Sequence, residues 1–263
     1  MNAWSALGGA FRFEFLMQIR RLALWIAMAL LGTLVFLIGM QLATGQLGSR
    51  LYTHNSGVVE WAGACTTLLV LGAGLLLADR TRRDRSSKVF EMLSTTPAPL
   101  WTRLAGKYLG AAMATLVPIA LIYTVGVVYL TIRWQDAAVL TVALVAFLAL
   151  VAPPVFFVGA FSLACTTLLW TPLYQFLFVG YWIWNALNPA EAIPTLNNTL
   201  FSPTENYVVT GFFHLTTPYQ TDALRYPQSS FLLGLANIAV LLACGAIALL
   251  SAWRILRRQD EGI

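Results

Sequence analysis

The sequence predicts an all-α membrane protein with six transmembrane helices, and three observations lead to this prediction. The chain has 263 residues, of which 59% are hydrophobic and only 10% charged, whereas a soluble domain carries about a quarter charged residues. Apolar runs of about 20 residues, the length that crosses a hydrocarbon core, recur along the chain. The basic residues cluster between these runs, so the net charge of +5 indicates membrane topology rather than nucleic-acid binding.

The segment before the first apolar run, residues 1–21, predicts a helix that lies flat at the membrane interface. Its apolar stripe comprises Trp4, Leu7, Phe11 and Phe15, and off this stripe lie Arg12, Glu14 and Gln18. A partly ordered tail is the alternative. The apolar run that follows is too long for a signal peptide, whose apolar region has about 7 to 15 residues, so we expect it to be retained as a span.

The spans follow from the apolar runs and their breaks. Residues 137–190 carry no charge and are too many for one span. Pro153-Pro154 would kink a helix, but Thr171-Pro172, an N-cap residue followed by proline at the first helical position, is the better boundary. The six predicted spans cover residues 22–42, 58–78, 104–132, 137–165, 172–187 and 231–253.

The distribution of basic residues predicts the orientation of these spans. An even number of spans puts both termini on one side. Thirteen of the sixteen Lys and Arg residues lie in the N-terminal segment, between spans two and three, or after the last span, and the others are Arg50, Arg133 and Arg225. By the positive-inside rule, the chain is a multi-pass protein of the inner (plasma) membrane with both termini in the cytoplasm.

The outer segment, residues 188–230, is too long for a simple connection and too aromatic for disorder. Three places combine a capping side chain, proline at the first helical position, and Glu or Gln two residues later. They are Asn188-Pro189-Ala190-Glu191, Ser202-Pro203-Thr204-Glu205 and Thr217-Pro218-Tyr219-Gln220. We therefore predict short extracytoplasmic helices that cap the bundle, at least one of them partly immersed; an ordered but inert connection is the alternative.

No motif for chemistry occurs in the sequence, and we predict a non-catalytic chain. There is no phosphate-binding loop, no zinc-binding helix and no nucleophile elbow. The cysteines lie singly in apolar runs, so neither disulfides nor a metal site is expected. Ionisable residues are missing from the middle of the spans, where a proton- or ion-coupled carrier usually has one. Energy for any transport would have to come from another subunit.

The charged segment between spans two and three carries a family resemblance. It contains Asp84-Arg85, Phe90-Glu91-x-Leu93, Thr96-Pro97 and Gly106-Lys107. These pairs and their spacing resemble the signature of ABC-2 type transporter permeases, as do the six-span layout, the flat N-terminal helix and the long outer segment. The motif covers about thirty residues of the chain. One difference is Lys88-Val89, where that family has Gly-Thr.

The resemblance implies a membrane subunit of an ATP-driven exporter, paired with a second identical or similar permease over two nucleotide-binding subunits. ATP and magnesium would be bound by those subunits and not by this chain. A short cytoplasmic coupling helix, residues 86–93, would fit a groove in the ATPase, a common mode of helix recognition. Its apolar contacts would be Val89, Phe90, Met92 and Leu93. Charged contacts at the rim, including the preceding residues, would come from Arg82, Arg83, Asp84, Arg85, Lys88 and Glu91.

Other interpretations of the sequence remain open. The coupling segment could instead be a solvated loop whose apolar face rests on the bilayer. The whole chain could be an assembly or regulatory protein through which an ATPase transmits conformational change without transport. The uncharged spans and aromatic outer segment favour an amphipathic or lipid-like cargo. Gly106, Gly110 and Ala114 form a small-residue series that would pack either against a second copy or within the chain.

Overall fold

The computed structural model describes residues 3–45, 53–86, 99–187, 196, 199–203, 206–215 and 229–260; of residues 3, 79–86, 186–187 and 259–260 it describes only the backbone. All regular elements in these ranges are helical, which confirms the predicted all-α class for the part described. The helices are α1 Ala3–Ile19, α2 Leu22–Ala43, α3 His54–Ser86, α4 Leu100–Trp134, α5 Val139–Ala146, α6 Ala152–Leu168, α7 Thr171–Leu187, α8 Asn206–Phe213 and α9 Phe231–Asp260, with a π-helical segment, Phe147–Val151, joining α5 to α6.

Five helices of the described ranges are long and apolar enough to cross a membrane. They are Leu22–Ala43, His54–Ala78, Leu100–Trp134, Val139–Leu168 and Phe231–Arg258. The predicted fifth span, 172–187, corresponds to α7, which has 17 residues and is shorter than the usual span of about 20. The structure therefore supports a multi-pass helical protein with five candidate spans, and the sixth stays a prediction.

Helix α3 lies at the centre of the bundle. Within its apolar part 61% of the residues are buried, compared with 28% in α2 and 22% in α9. Its neighbour α2 runs antiparallel to it, because Gly39 lies against Ala64 whereas Gly72 lies against Leu31. Any displacement of α3 would consequently be felt by most of the other helices.

A buried tryptophan fixes how α3 packs on α4. The Trp61 side chain is fully buried, and its indole N–H donates to the backbone oxygen of Tyr123 at 3.1 Å. The ring lies directly on Gly126, where a Cβ atom would come within 2.2 Å of it. Only glycine at residue 126 leaves room for this aromatic anchor.

Two prolines follow the π-helical segment and remove backbone donors from it. Pro154 has no N–H to donate to the carbonyl of Leu150, four residues earlier, so that carbonyl needs another partner. The hydroxyl of Thr66 on α3 lies 2.8 Å from it. The backbone irregularity in the middle of the fourth candidate span is thus tied to the central helix.

Helix α7 runs antiparallel to α3 along much of its length. The Gln175 side-chain amide donates to the backbone oxygen of Leu75 at 3.3 Å, and the Trp182 indole N–H donates to that of Thr67 at 2.7 Å. Over 17 residues α7 rises about 25 Å, most of the roughly 30 Å hydrocarbon thickness.

Candidate functional site

The predicted docking residues fall at the end of α3 and beyond it. Backbone helix continues through Arg82, Arg83, Asp84 and Arg85 and ends at Ser86. The remaining predicted contacts, Lys88, Val89, Phe90, Glu91, Met92 and Leu93, lie outside the described residues. The charged part of this segment therefore begins as a continuation of the second candidate span.

The continuation of α3 carries the chain well past its apolar part. The apolar window ends at Ala78, and the eight residues from Asp79 to Ser86 add about 12 Å along the helix axis at about 1.5 Å per residue. A helix that leaves the hydrocarbon in this way can transmit force along its axis, because its backbone hydrogen bonds continue without a break.

On the other side of the predicted coupling segment, α4 begins earlier than the predicted span. It starts at Leu100, while the predicted span starts at residue 104. The backbone N–H and the hydroxyl of Thr102 both donate to the Pro99 carbonyl, at 3.1 and 2.7 Å. This local turn fixes the direction in which the chain enters α4.

The first turns of α4 are clamped by α1 through two glycines. A Cβ atom at Gly106 would lie 2.9 Å from the backbone oxygen of Leu7, and one at Gly110 would lie 2.7 Å from that of Phe11. Helix backbones approach this closely only where side chains are absent. At least two members of the predicted small-residue series therefore serve packing within the chain.

The packed face of α1 differs from the predicted apolar stripe. Glu14 and Gln18 are 5% and 1% exposed, whereas Trp4 is 79% exposed. Glu14 lies beside Gly110, where a Cβ would come within 2.9 Å of its own Cβ. The four-residue spacing of Glu14 and Gln18, one turn of helix, is the sequence signal that identifies this polar face.

One end of the bundle is built around α8. This helix follows the second predicted helix start, 202–205, while the first and third, 188–191 and 217–220, lie outside the described residues. The Asn237 amide of α9 donates to the carbonyls of Leu200 and Ser202 at 2.8 and 3.3 Å. The Ser229 hydroxyl donates to that of Tyr207 at 3.0 Å.

An exposed pair also joins the start of α3 to the connection between α4 and α5. Nδ1 of His54, at the start of α3, lies 2.9 Å from Oδ2 of Asp136, and the His54 ring stacks on Trp134 with centroids 4.9 Å apart. The hydrogen bond with His54, helped by the backbone N–H of Ala138, lowers the pKa of Asp136 below its ordinary value of 3.8. Because 82 residues separate the partners, no spacing pattern in the sequence indicates this pair.

Comparison with known proteins leaves the family open. No family model matches the chain, and a search of curated proteins finds no match. In the described part of the chain, no group of three His, Cys, Asp or Glu side chains is arranged to hold a metal ion.

Proposed function

We propose that this chain is the membrane-spanning permease subunit of an ATP-driven exporter in the plasma membrane, with both termini in the cytoplasm. The observation that carries the proposal is the motif of residues 84–107 at the end of the central helix α3. The motif resembles that of ABC-2 permeases, and α3 continues as helix through its first members to Ser86. Residues 82–93 would dock on a separate nucleotide-binding subunit, which binds ATP and magnesium.

The packing of α3 supports a role in which force applied at its end near Ser86 is transmitted into the bundle. Trp61 connects α3 to α4, Thr66 connects it to the π-helical segment, and Gln175 connects α7 to it. A push on the end of α3 would therefore reach three other parts of the bundle. Because α1 packs on the first turns of α4, it would move with the other end of the coupling segment.

The apolar character of the described spans favours an amphipathic or lipid-like cargo. The windows of α2 and of α5–α6 contain no Asp, Glu, Lys or Arg. Large apolar side chains such as Phe176 and Leu232 are exposed on the outside of the bundle, as expected where lipid or a second permease copy covers them.

Capture from native membranes tests the proposal. The full-length chain, tagged and extracted from membranes of its source cell in mild detergent, should retain a protein that has a phosphate-binding loop and hydrolyses ATP. If no ATP-binding subunit is retained from cells that express the surrounding genes, the permease function is wrong.

A regulatory or assembly protein driven by an ATPase is the alternative, and the same preparation separates the two. The complex in sealed vesicles should move fluorescent phospholipids or other amphiphiles between leaflets only when ATP is supplied. An ATP-driven change of conformation without any such movement would favour the alternative.

A further inference from the structure

A cavity of about 270 Å³ lies where α1 meets α2, beside α3 and α7. Its lining residues are Gln18, Arg21, Ala23, Leu24, Leu75, Leu76 and Gln175. The volume is just below the usual range of small-molecule sites, about 300 to 1,000 Å³. It suits a headgroup whose acyl chains stay outside along the apolar helices.

The polar groups of this cavity are mainly hydrogen-bond donors. Nη1 of Arg21 donates to Oε1 of Gln18 at 3.2 Å, and because a guanidinium can only donate, this contact fixes which end of the Gln18 amide is oxygen. The Gln18 side chain is buried, and its NH₂ group makes no hydrogen bond to any residue that the structure describes. The Gln18 nitrogen is not among the fully buried side-chain atoms that lack a partner, so its NH₂ group is open to an acceptor in the cavity.

Charge and helix direction favour an anion at the same place. Among the residues whose side chains the structure describes, no carboxylate lines the cavity or pairs with Arg21. Arg21 directly precedes α2, and its own side chain does not cap the helix. The free N–H groups of the first turn therefore add partial positive charge to that of the guanidinium. Gln175 contributes another amide, one of whose hydrogens bonds Leu75.

Exposed tryptophans put the cavity at the level of lipid headgroups. Trp25 lies one turn after Arg21, with its indole N–H bonded to the Ile19 carbonyl at 2.7 Å. Trp25, Trp101 and Trp170, all near helix ends on this side of the bundle, are 37%, 46% and 72% exposed. Tryptophan gathers at membrane interfaces because its ring is apolar and its N–H is polar.

We propose that this cavity binds the phosphate of an anionic phospholipid from the leaflet around the first turn of α2, with Arg21 as the ion-pair partner and Gln18 as a buried amide donor. The Gln175 amide lies across from them and bonds the headgroup oxygens as well. The leaflet is the cytoplasmic one in the proposed orientation. Binding of the lipid fixes the angle between α1 and α2, since its two main ligands belong to the connection between them.

Native mass spectrometry of the full-length chain in detergent tests this site. The probe is dioleoyl phosphatidylglycerol, compared with phosphatidylcholine at equal concentration. We expect one phosphatidylglycerol to be retained preferentially, and Arg21→Gln to weaken its binding about five- to tenfold, as expected for one positive charge and its hydrogen bonds. Gln18→Leu, which keeps the charge and nearly the volume, should also weaken it.

Arg20→Gln is the matched control, because it removes the same charge from a neighbouring exposed residue. It should change binding less than about twofold, since exposed charges are screened. Equal losses from Arg20→Gln and Arg21→Gln would mean diffuse attraction and would overturn the proposal.

Two further measurements keep the result decisive. Size-exclusion profiles check that the variants are folded. If Arg21→Gln aggregates, Arg21→Lys takes its place in the test. This variant keeps the charge but loses the planar guanidinium, and it should bind the lipid at an intermediate level. If the single variants Arg21→Lys and Gln18→Leu both bind phosphatidylglycerol as well as the wild type does, the proposal of a specific site is wrong. Displacement of the lipid by millimolar inorganic phosphate would assign the cavity to soluble anions and overturn the lipid.

Discussion

The two ends of the bundle are held together in different ways. At the end where α1 packs on α4, helix backbones approach each other over Gly106 and Gly110, which contribute no side chain to the contact. At the α8 end, Gly211 and Gly234 also lie close to backbone oxygens, those of Ser230 and Tyr207. In addition, this end has side-chain hydrogen bonds from Asn237 and Ser229 to backbone carbonyls.

The difference indicates which contacts can open. Steric fit between backbones has one arrangement and makes α1 and α4 a single unit. A few hydrogen bonds, each worth about 0.5 to 1.5 kcal/mol net, can be exchanged for bonds to water at low cost. The proposed function would use this difference, because the end that receives force should be stiff and the α8 end should release cargo.

The largest effect is expected from Gly110→Leu. A side chain at this residue would meet the Phe11 carbonyl and Glu14, so α1 would have to leave α4. We expect a loss of at least about 3 kcal/mol, the upper part of the range for overpacked sites. Thermal unfolding in detergent and hydrogen exchange of residues 3–19 measure it.

Gly9→Leu is the control for this change, because nothing lies within 4 Å of a Cβ at Gly9. It should leave stability and exchange of α1 nearly unchanged. If hydrogen exchange in Gly110→Leu becomes faster in α8 by as much as in α1, the two ends are not independent.

A smaller, local effect is expected from Asn237→Leu. The change removes the amide that bonds the carbonyls of Leu200 and Ser202, at a cost of about 1 to 3 kcal/mol. Hydrogen exchange of residues 206–213 should become faster while that of residues 3–19 stays the same. Ser251→Ala removes an exposed hydroxyl bonded within its own helix and should leave both exchange rates unchanged.

Ser229→Ala should act in the same direction and more weakly. It removes one hydroxyl bond to the Tyr207 carbonyl, worth about 0.5 to 1.5 kcal/mol. Exchange of α8 again measures the effect, with the exposed Thr124→Ala as reference. A loss greater than that of Asn237→Leu would contradict the assigned order of the two contacts.

The smallest effect concerns the exposed pair of His54 and Asp136. Because the folded protein lowers the pKa of Asp136, the carboxylate contributes stability above its ordinary pKa of 3.8, and this contribution is lost as pH falls through the lower folded-state value. The difference in melting temperature between wild type and Asp136→Asn should therefore shrink on going from neutral pH to about pH 3. A constant difference would mean that the charge of Asp136 does not contribute.

Sequence reasoning recovers the apolar helices and misses features that depend on tertiary contacts. The predicted spans 22–42 and 231–253 lie inside α2 and α9, since about 20 apolar residues identify a spanning helix without other information. The charges after Ala78 end the apolar window, but the segment to Ser86 contains no proline or glycine, and nothing there stops the helix.

The sequence does not indicate which polar residues are buried. In the sequence, Glu14 and Gln18 lie off the predicted apolar stripe, yet both are buried, because α1 packs on α4 and on the connection to α2. The cavity around Arg21 brings together residues from four helices, from Gln18 to Gln175 along the chain, and no spacing rule connects them. Contacts of this range require the packed structure.

The central claim is that energy enters through residues 86–93, and ATP hydrolysis by the captured complex tests it most directly. Phe90→Asp and Leu93→Asp should abolish association with the nucleotide-binding subunit or its ATP turnover, because a charge would replace an apolar contact, while membrane insertion stays normal. Ser94→Asp, just beyond the predicted helix, should keep both. An unchanged ATPase rate in Phe90→Asp and Leu93→Asp would contradict the account.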